Sequence, residues 1–358
     1  MSALHTHRPR LRNSEQGMVS IMTTMVLMIV ISLIVLGFAQ ISRRNQRESL
    51  DRQLSTQAFY AAETGVNDAR DLIQKATNTG NEVQDKNGCT DSGVGNFYAS
   101  LNPVVDAAKN VKYSCLLVDA SPKTLRYSDI GANSVVVPMT SATGDAFNKI
   151  QLKWQSKLNT ATPLVGCPTT AGGVFSPAAS WSCGYGVLRF DLVPTGGSLN
   201  SGNLMTSTMT TFAVPMSNNT GTNDITYNAG STNPNSLAAI KCTNTECSLQ
   251  ISSLTDTSYY MRISSVYRDV ALQITGTTAG GSPVEIKGAQ AQIDATGKAQ
   301  DVLRRIQVSA PYTTTSQNQN SDYAIKSNDS ICKRFSVANG YFANNPVGVV
   351  GSTNPLCQ

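Results

Sequence analysis

The stretch Met18–Ile41, MVSIMTTMVLMIVISLIVLGFAQI, decides the fold: 24 residues without one charged side chain. Coiled as an α-helix at about 1.5 Å per residue, it is about 36 Å long, enough for the roughly 30 Å hydrocarbon core of a bilayer. A cleaved signal peptide has a shorter apolar region, about 7–15 residues, closed by a small-x-small site. Here the run is longer, and Arg43, Arg44 and Arg47 follow it. Arg8, Arg10 and Arg12 precede it, so charge alone leaves the orientation open.

Helical periodicity continues past the apolar run. Leu50, Leu54, Ala58, Ala61, Gly65, Ala69 and Leu72 step by three or four residues, and Phe59, Ala62, Val66 and Ile73 widen the stripe. Glu63, Asn67, Asp68, Arg70, Asp71 and Gln74 lie off it. No proline interrupts the chain between Met18 and Asn102, so one helix from Met18 to Lys75 is expected. Its second half needs a core to lie against, because the stripe is too wide and too Ala-rich for a coiled-coil seam. The residues expected to pack on a head are Leu54, Ala58, Ala61, Ala62, Gly65, Val66, Ala69 and Leu72.

After Thr77–Asn81 the texture changes to short β-like runs between turn residues. Strands are expected at Val111–Val118, Ser134–Pro138, Lys149–Trp154, Val187–Val193, Thr208–Val214, Ser248–Leu254, Tyr259–Val266 and Val270–Thr275. A closing hairpin is expected from Ala289–Ala295 and Asp301–Val308, turning at Thr296-Gly297-Lys298. Residues 194–235, rich in Ser, Thr, Asn and Gly, read as long loops or a poorly ordered insertion, with Thr208–Val214 as a strand inside it. The expected organisation is a leader over 1–17, a transmembrane half-helix over 18–41, an extracytoplasmic half over 42–76 and a β-rich extracellular head over 77–358. The fold class is α+β: a long N-terminal helix on an antiparallel, disulfide-containing head.

The formal charge of +5 divides into +2 on residues 1–17, +1 on 43–75 and +2 over the rest. The head therefore has no electrostatic footprint for nucleic acid. Charged residues are 14% of the chain, against about 25% in ordinary soluble domains, which favours an exported β protein over a cytosolic enzyme.

The eight cysteines are Cys89, Cys115, Cys167, Cys183, Cys242, Cys247, Cys332 and Cys357, an even number with no C-x-x-C. Both histidines, His5 and His7, precede the apolar helix, so none in the head is available to join a zinc site. An all-cysteine zinc site lacks its usual paired short spacings, and disulfides are the better reading. They require an oxidising compartment, which puts the head outside and the N-terminus inside. Sequence does not determine connectivity. Pairing between neighbours (89–115, 167–183, 242–247, 332–357) is the expectation, since it closes four modest loops.

No catalytic set is visible. Without a histidine the head can hold neither a Ser-His-Asp nor a Cys-His arrangement, and G-x-S-x-G, Walker and G-x-G-x-x-G motifs are absent. Asn218–Asp224 and Asn318–Asp322 are polar enough for calcium but lack EF-hand spacing and read as solvated loops. Arg304 and Arg305, on opposite faces of a strand, read as one edge charge and one satisfied pair rather than a DNA contact. No cofactor and no metal are expected.

Two segments carry a family resemblance. Arg12-Asn13-Ser14-Glu15-Gln16-Gly17-Met18, a short polar basic leader ending in glycine against the apolar helix, resembles the prepilin leader of type IV pilins. The stretch from Arg52 to Arg70, with Gln57-Ala58-Phe59-Tyr60-Ala61-Ala62-Glu63-Thr64-Gly65 at its centre, resembles the end of the N-terminal module of PilX-type minor pilins. Thr296-Gly297 followed by Arg304-Arg305-Ile306-Gln307-Val308 is similar to the final strands of such proteins, and the Cys332–Cys357 loop to their disulfide-bounded C-terminal region. The resemblance implies cleavage between Gly17 and Met18 by a prepilin peptidase, methylation of the new N-terminus, and packing of the helix against other pilin-like subunits. It further implies a structural role in filament assembly or surface adhesion, on a membrane or an extracellular pilus, with no chemistry and an unidentified head ligand. One position departs from the family. Met22 stands at the fifth mature residue, where type IV pilins usually carry a glutamate, which suits a minor or tip subunit. It also leaves open a permanently anchored surface adhesin that never enters a filament.

Overall fold

The structure, a computed structural model, describes residues 15–132, 134–158, 161–169, 178–197, 206–217, 222–227, 236–312, 335–338 and 341–344. In chain order, helix α1 spans Glu15–Asn78 and is followed by strands β1 (Val104–Asp106), β2 (Val111–Asp119), β3 (Thr124–Ile130), β4 (Val135–Ser141) and β5 (Lys149–Ser156). Next come β6 (Val187–Pro194), β7 (Met209–Met216), β8 (Asp224–Thr226), β9 (Ser236–Lys241), β10 (Cys247–Ser252), β11 (Ser258–Val266) and β12 (Val270–Thr277). Strands β13 (Ile286–Lys287), β14 (Gln290–Ala299), β15 (Val302–Pro311), β16 (Phe335–Ala338) and β17 (Tyr341–Asn344) complete the described elements. The chain is thus one long apolar helix plus a β-rich head, α+β as the sequence implies.

The chain divides into two compact units. The first comprises the chain up to Asp119 together with Gln292–Ala310. Its helix runs past Lys75 and stops where Gly80 turns left-handed (φ +71°). Asn81 N–H donates to the Ala76 carbonyl and Gly80 N–H to that of Thr77, the paired bonds of a glycine-closed helix end. Beyond it, a four-stranded sheet in the order β1-β2-β14-β15 forms the base. The alternating apolar residues Val111, Tyr113, Leu116 and Val118 on β2 turn inward. The Cys89–Cys115 disulfide and a two-way backbone pairing of Lys86 with Val118 tie the segment after α1 to β2.

The second unit comprises Ala120–Ala291 and the chain from Pro311 onward. It contains a five-stranded sheet, β3-β12-β5-β10-β8, and a six-stranded sheet, β13-β4-β11-β6-β7-β9. Both contribute to one core: Ile150, Leu152, Trp154, Leu272 and Ile274 from the first, Val137, Met139, Phe190, Leu192, Met261 and Ile263 from the second. Most pairings are antiparallel, but β8 with β10 and β7 with β9 run parallel, so both sheets are mixed. Disulfides Cys167–Cys183 and Cys242–Cys247 lie in this unit, and their sulfurs belong to buried residues. Cys332 and Cys357 lie outside the described residues.

One sequence expectation needs correction here. Thr296-Gly297-Lys298 is not a turn: β14 runs straight through it, and the chain reverses at Gln300-Asp301, Gln300 being left-handed (φ +54°). Within 194–235 the strand expected at Thr208–Val214 is β7, Met209–Met216, which buries Met209, Thr211, Ala213 and Val214, and the short β8 is an addition to that reading. Asn318–Asp322 lies outside the described residues, as does all of Asn218–Asp224 before residue 222.

Candidate functional site

The site is α1 itself and the surface of the first unit on which its second half sits. From Val19 to Ile41 every residue of the helix is exposed, including the large apolar Ile21, Met25, Leu27, Ile31, Leu36 and Phe38. An all-round apolar, wholly exposed helix is stable only in lipid or against other helices. Three of its polar side chains are bonded within the helix. The hydroxyls of Thr23, Thr24 and Ser32 donate to the carbonyls of Ser20, Ile21 and Met28 in the preceding turn. Gly17 and Met18 fall in the first helical turns, because α1 begins at Glu15.

The second half packs. Ala58, Ala61, Ala62, Val66, Ala69, Ile73 and Ala76 are buried, Gly65 is buried with them, and Leu54 joins Ala58, Ala61, Val111 and Ala299 in one cluster. Leu72 is only half-buried; Ile73, its neighbour, takes the inward position. Phe59 departs from the reading that placed it in the packed stripe: it is 48% exposed, beside Tyr60 at 59%, with the two rings edge to face. Leu50, at the lower end of the stripe, is 56% exposed because the sheet does not extend beneath it.

The alanines on this face follow from how close the backbones come. A methyl built on Gly297 of β14 would collide with the carbonyl oxygen of Ala58 and the amide nitrogen of Ala62. A methyl on Gly65 would stand 3.0 Å from Cγ of Tyr113. A bulge in the β2–β14 pairing, where Cys115 faces Thr296 and Tyr113 faces Gly297, sets the strand at this point. Two polar contacts reach the helix and another braces the sheet beneath it. Tyr113 Oη donates to Asp68 Oδ2 (3.1 Å), Arg304 Nε donates to Ser55 Oγ (2.7 Å), and Arg305 holds Asp294 on the adjacent strand. Arg305 Nε donates to both Asp294 oxygens (2.7 and 2.8 Å), and its Nη2 makes a further close contact with Oδ2. The hydrogen bonds and charge of Asp294 raise the guanidinium pKa above its ordinary value. Burial, reinforced by the Asp68 carboxylate, pushes the Tyr113 phenol up.

A smaller knot closes the segment after α1. Lys86 is buried, and its ammonium donates to the carbonyls of Gly88 and Asp91 and pairs with Asp91 Oδ1 at 3.1 Å. The hydrogen bond from Lys86 holds the Asp91 carboxyl below its ordinary range. Lys86, Tyr98, Lys112, Ser114 and the Cys89–Cys115 bridge line an open cleft of about 320 Å³.

Gly297, Tyr113, Asp68, Ser55 and Asp294 were not singled out by the sequence. Gly297 read as a turn; Tyr113, Asp68 and Ser55 have partners 45 to 249 residues away, and Asp294 meets Arg305 across the hairpin, 11 residues on.

No curated protein and no solved structure matches the chain. The family model described as PilX N-terminal matches residues 16–67. That match lies wholly within α1, from its first turn through the exposed apolar span to the packed Ala-Ala-Glu stretch. The N-terminal helix of this chain matches the PilX N-terminal family, and its long apolar span is consistent with a PilX-type type IV pilin module.

Proposed function

We propose that the chain is a minor-pilin-like structural subunit of a type IV pilus system. The matched family is a structural one, tied to pilus components. The observation that carries the reading is the division of α1: a first half exposed and apolar all round, a second half seated through small residues on a sheet. In this reading a prepilin peptidase removes residues 1–17, the new N-terminus at Met18 is methylated, and the head is displayed outside the membrane. The helix then leaves lipid for the helices of other pilin-like subunits. That exchange has little net hydrophobic cost, since lipid and helix bundle are similarly apolar. The subunit supports filament assembly or surface attachment and performs no catalysis.

A second reading, a permanently anchored surface adhesin, is favoured by Met22 and by the internally bonded hydroxyls of Thr23 and Thr24. Neither supplies the negative charge that would accept a neighbour's ammonium terminus. Shearing cells and fractionating the product separates the two. The chain in shed filaments supports the pilin reading; a chain confined to membranes supports the adhesin.

A further inference from the structure

Lys112 of β2 and Lys298 of β14 stand directly opposite each other in the strand pairing. Their neighbours fix the direction of both side chains. Val111 and Ala299 cluster with Ala58 of α1, and Tyr113 and Gly297 lie against the same helix, so the two lysines occupy the other face of the sheet. Side chains paired in this way leave Cβ atoms about 5 Å apart, and like charges in that position repel. Both lysines are half-buried, and neither forms an ion pair among the described residues. Three carboxylates of the same unit are already taken: Asp91 by Lys86, Asp106 by Lys109 and Asp294 by Arg305.

Lys112 also lines the open cleft of about 320 Å³ beside the Cys89–Cys115 bridge. Thr90, Ser92 and Ser114 bring hydroxyls to that cleft, and Leu101 and Pro103 bring apolar surface. The hydroxyls of Thr90 and Ser92 have no hydrogen-bond partner among the described residues. The disulfide and the bonded Lys86 ammonium hold the frame.

We propose that this face of the first unit binds a carboxylated saccharide, with the carboxylate between Lys112 and Lys298 and the sugar body in the cleft. An anion at that point turns a repulsive pair into two charge-assisted contacts, which the fold by itself does not supply. The cleft is at the small end of small-molecule sites, roughly 300–1,000 Å³, and takes one or two sugar rings. Sugar hydroxyls donate and accept, as those of Thr90 and Ser92 do, and the C–H face of a ring suits Leu101 and Pro103. Nucleic acid is a poorer occupant. Tyr98 and Tyr113, the aromatic residues of the cleft, are both buried, so a base finds no open ring to stack on. The site serves a filament subunit and a fixed anchor equally.

The test is a titration of the full detergent-solubilised chain with trigalacturonate at low salt. The expected result is saturable binding that weakens as salt rises and is at least about tenfold weaker for the uncharged methyl ester of the same probe. Lys112→Gln or Lys298→Gln weakens binding by about threefold, and the two together by about tenfold. Lys123→Gln, in the second unit, leaves it unchanged. Removing the repulsion keeps the urea midpoint of the double variant at or above that of the parent chain, so lost affinity is not lost fold. No binding, equal binding of the ester, or affinity indifferent to both lysine substitutions overturns the proposal. So does an oligophosphate or oligoglutamate that binds as tightly as trigalacturonate, or a lowered midpoint in the double variant.

Discussion

Gly297 of β14 lies directly under Ala58 of α1, so close that a single methyl on the strand would overlap the helix backbone. The seat of the helix is therefore a contact of backbone against backbone, and the alanines around it are small because nothing larger fits. Replacing Gly297 by Ala is expected to force the helix off the sheet and destabilise the first unit by about 2 kcal/mol, as overpacking of a close contact does. The check is the urea midpoint of the detergent-solubilised chain, compared with a Gly→Ala change at Gly37, where no atom lies within 4 Å. Equal midpoints for the two variants would show that the close approach carries no stability.

The Arg305–Asp294 pair is asymmetric: the Asp294 side chain is nearly buried, and that of Arg305 is mostly in solvent. Arg305→Ala strands a buried carboxylate, whereas Asp294→Asn leaves an arginine that water can solvate. The single Arg305→Ala variant should be less stable than the double variant with Asp294→Asn. A double-mutant cycle in urea gives the coupling, and simple additivity would contradict the pairing.

The three described disulfides differ in access. Cys89 is exposed, whereas Cys167, Cys183, Cys242 and Cys247 are buried. Mild reduction under native conditions, followed by alkylation and mass mapping, should label Cys89 and Cys115 first. Earlier labelling of Cys242 and Cys247 would contradict the burial pattern.

Burial raises the phenols of Tyr98 and Tyr113 in the first unit, and of Tyr185, to about 12, in the second. The unfolded phenol ionises near its ordinary value of about 10. A folded pKa above the unfolded one means that this contribution to stability is complete below pH 10 and is lost as pH rises through the folded values. Tyrosinate absorbance should therefore appear in two stages, the later one coinciding with loss of circular dichroism. A single stage centred near pH 10 with the fold intact would be inconsistent with these environments.

Much of α1 was legible because its signals are local. An uncharged run long enough to cross a bilayer, a small-residue stripe at helical spacing and the absence of proline all act within one turn or along one element. Most strands were legible for the same reason: inward residues such as Val111, Tyr113 and Val118 alternate with half-exposed ones. Phe59 was misplaced because periodicity defines a stripe but not its width, and the sheet covers less of the helix than the stripe allows. Gly297 was misread because a glycine between polar residues signals a turn, and only the helix lying over it shows why a side chain is excluded. Strand β3 (Thr124–Ile130) escaped because Arg126 and Asp129 break up its few apolar residues. The contacts of Ser55 with Arg304 and of Tyr113 with Asp68 join parts of the chain that no local pattern connects.

The central claim, that α1 is an assembly helix rather than a tether, is tested most directly by N-terminal sequencing of the chain recovered from sheared surface filaments. The expected result is a mature chain in that fraction beginning at methylated Met18. A chain that retains residues 1–17 and is found only in the membrane fraction would contradict the account.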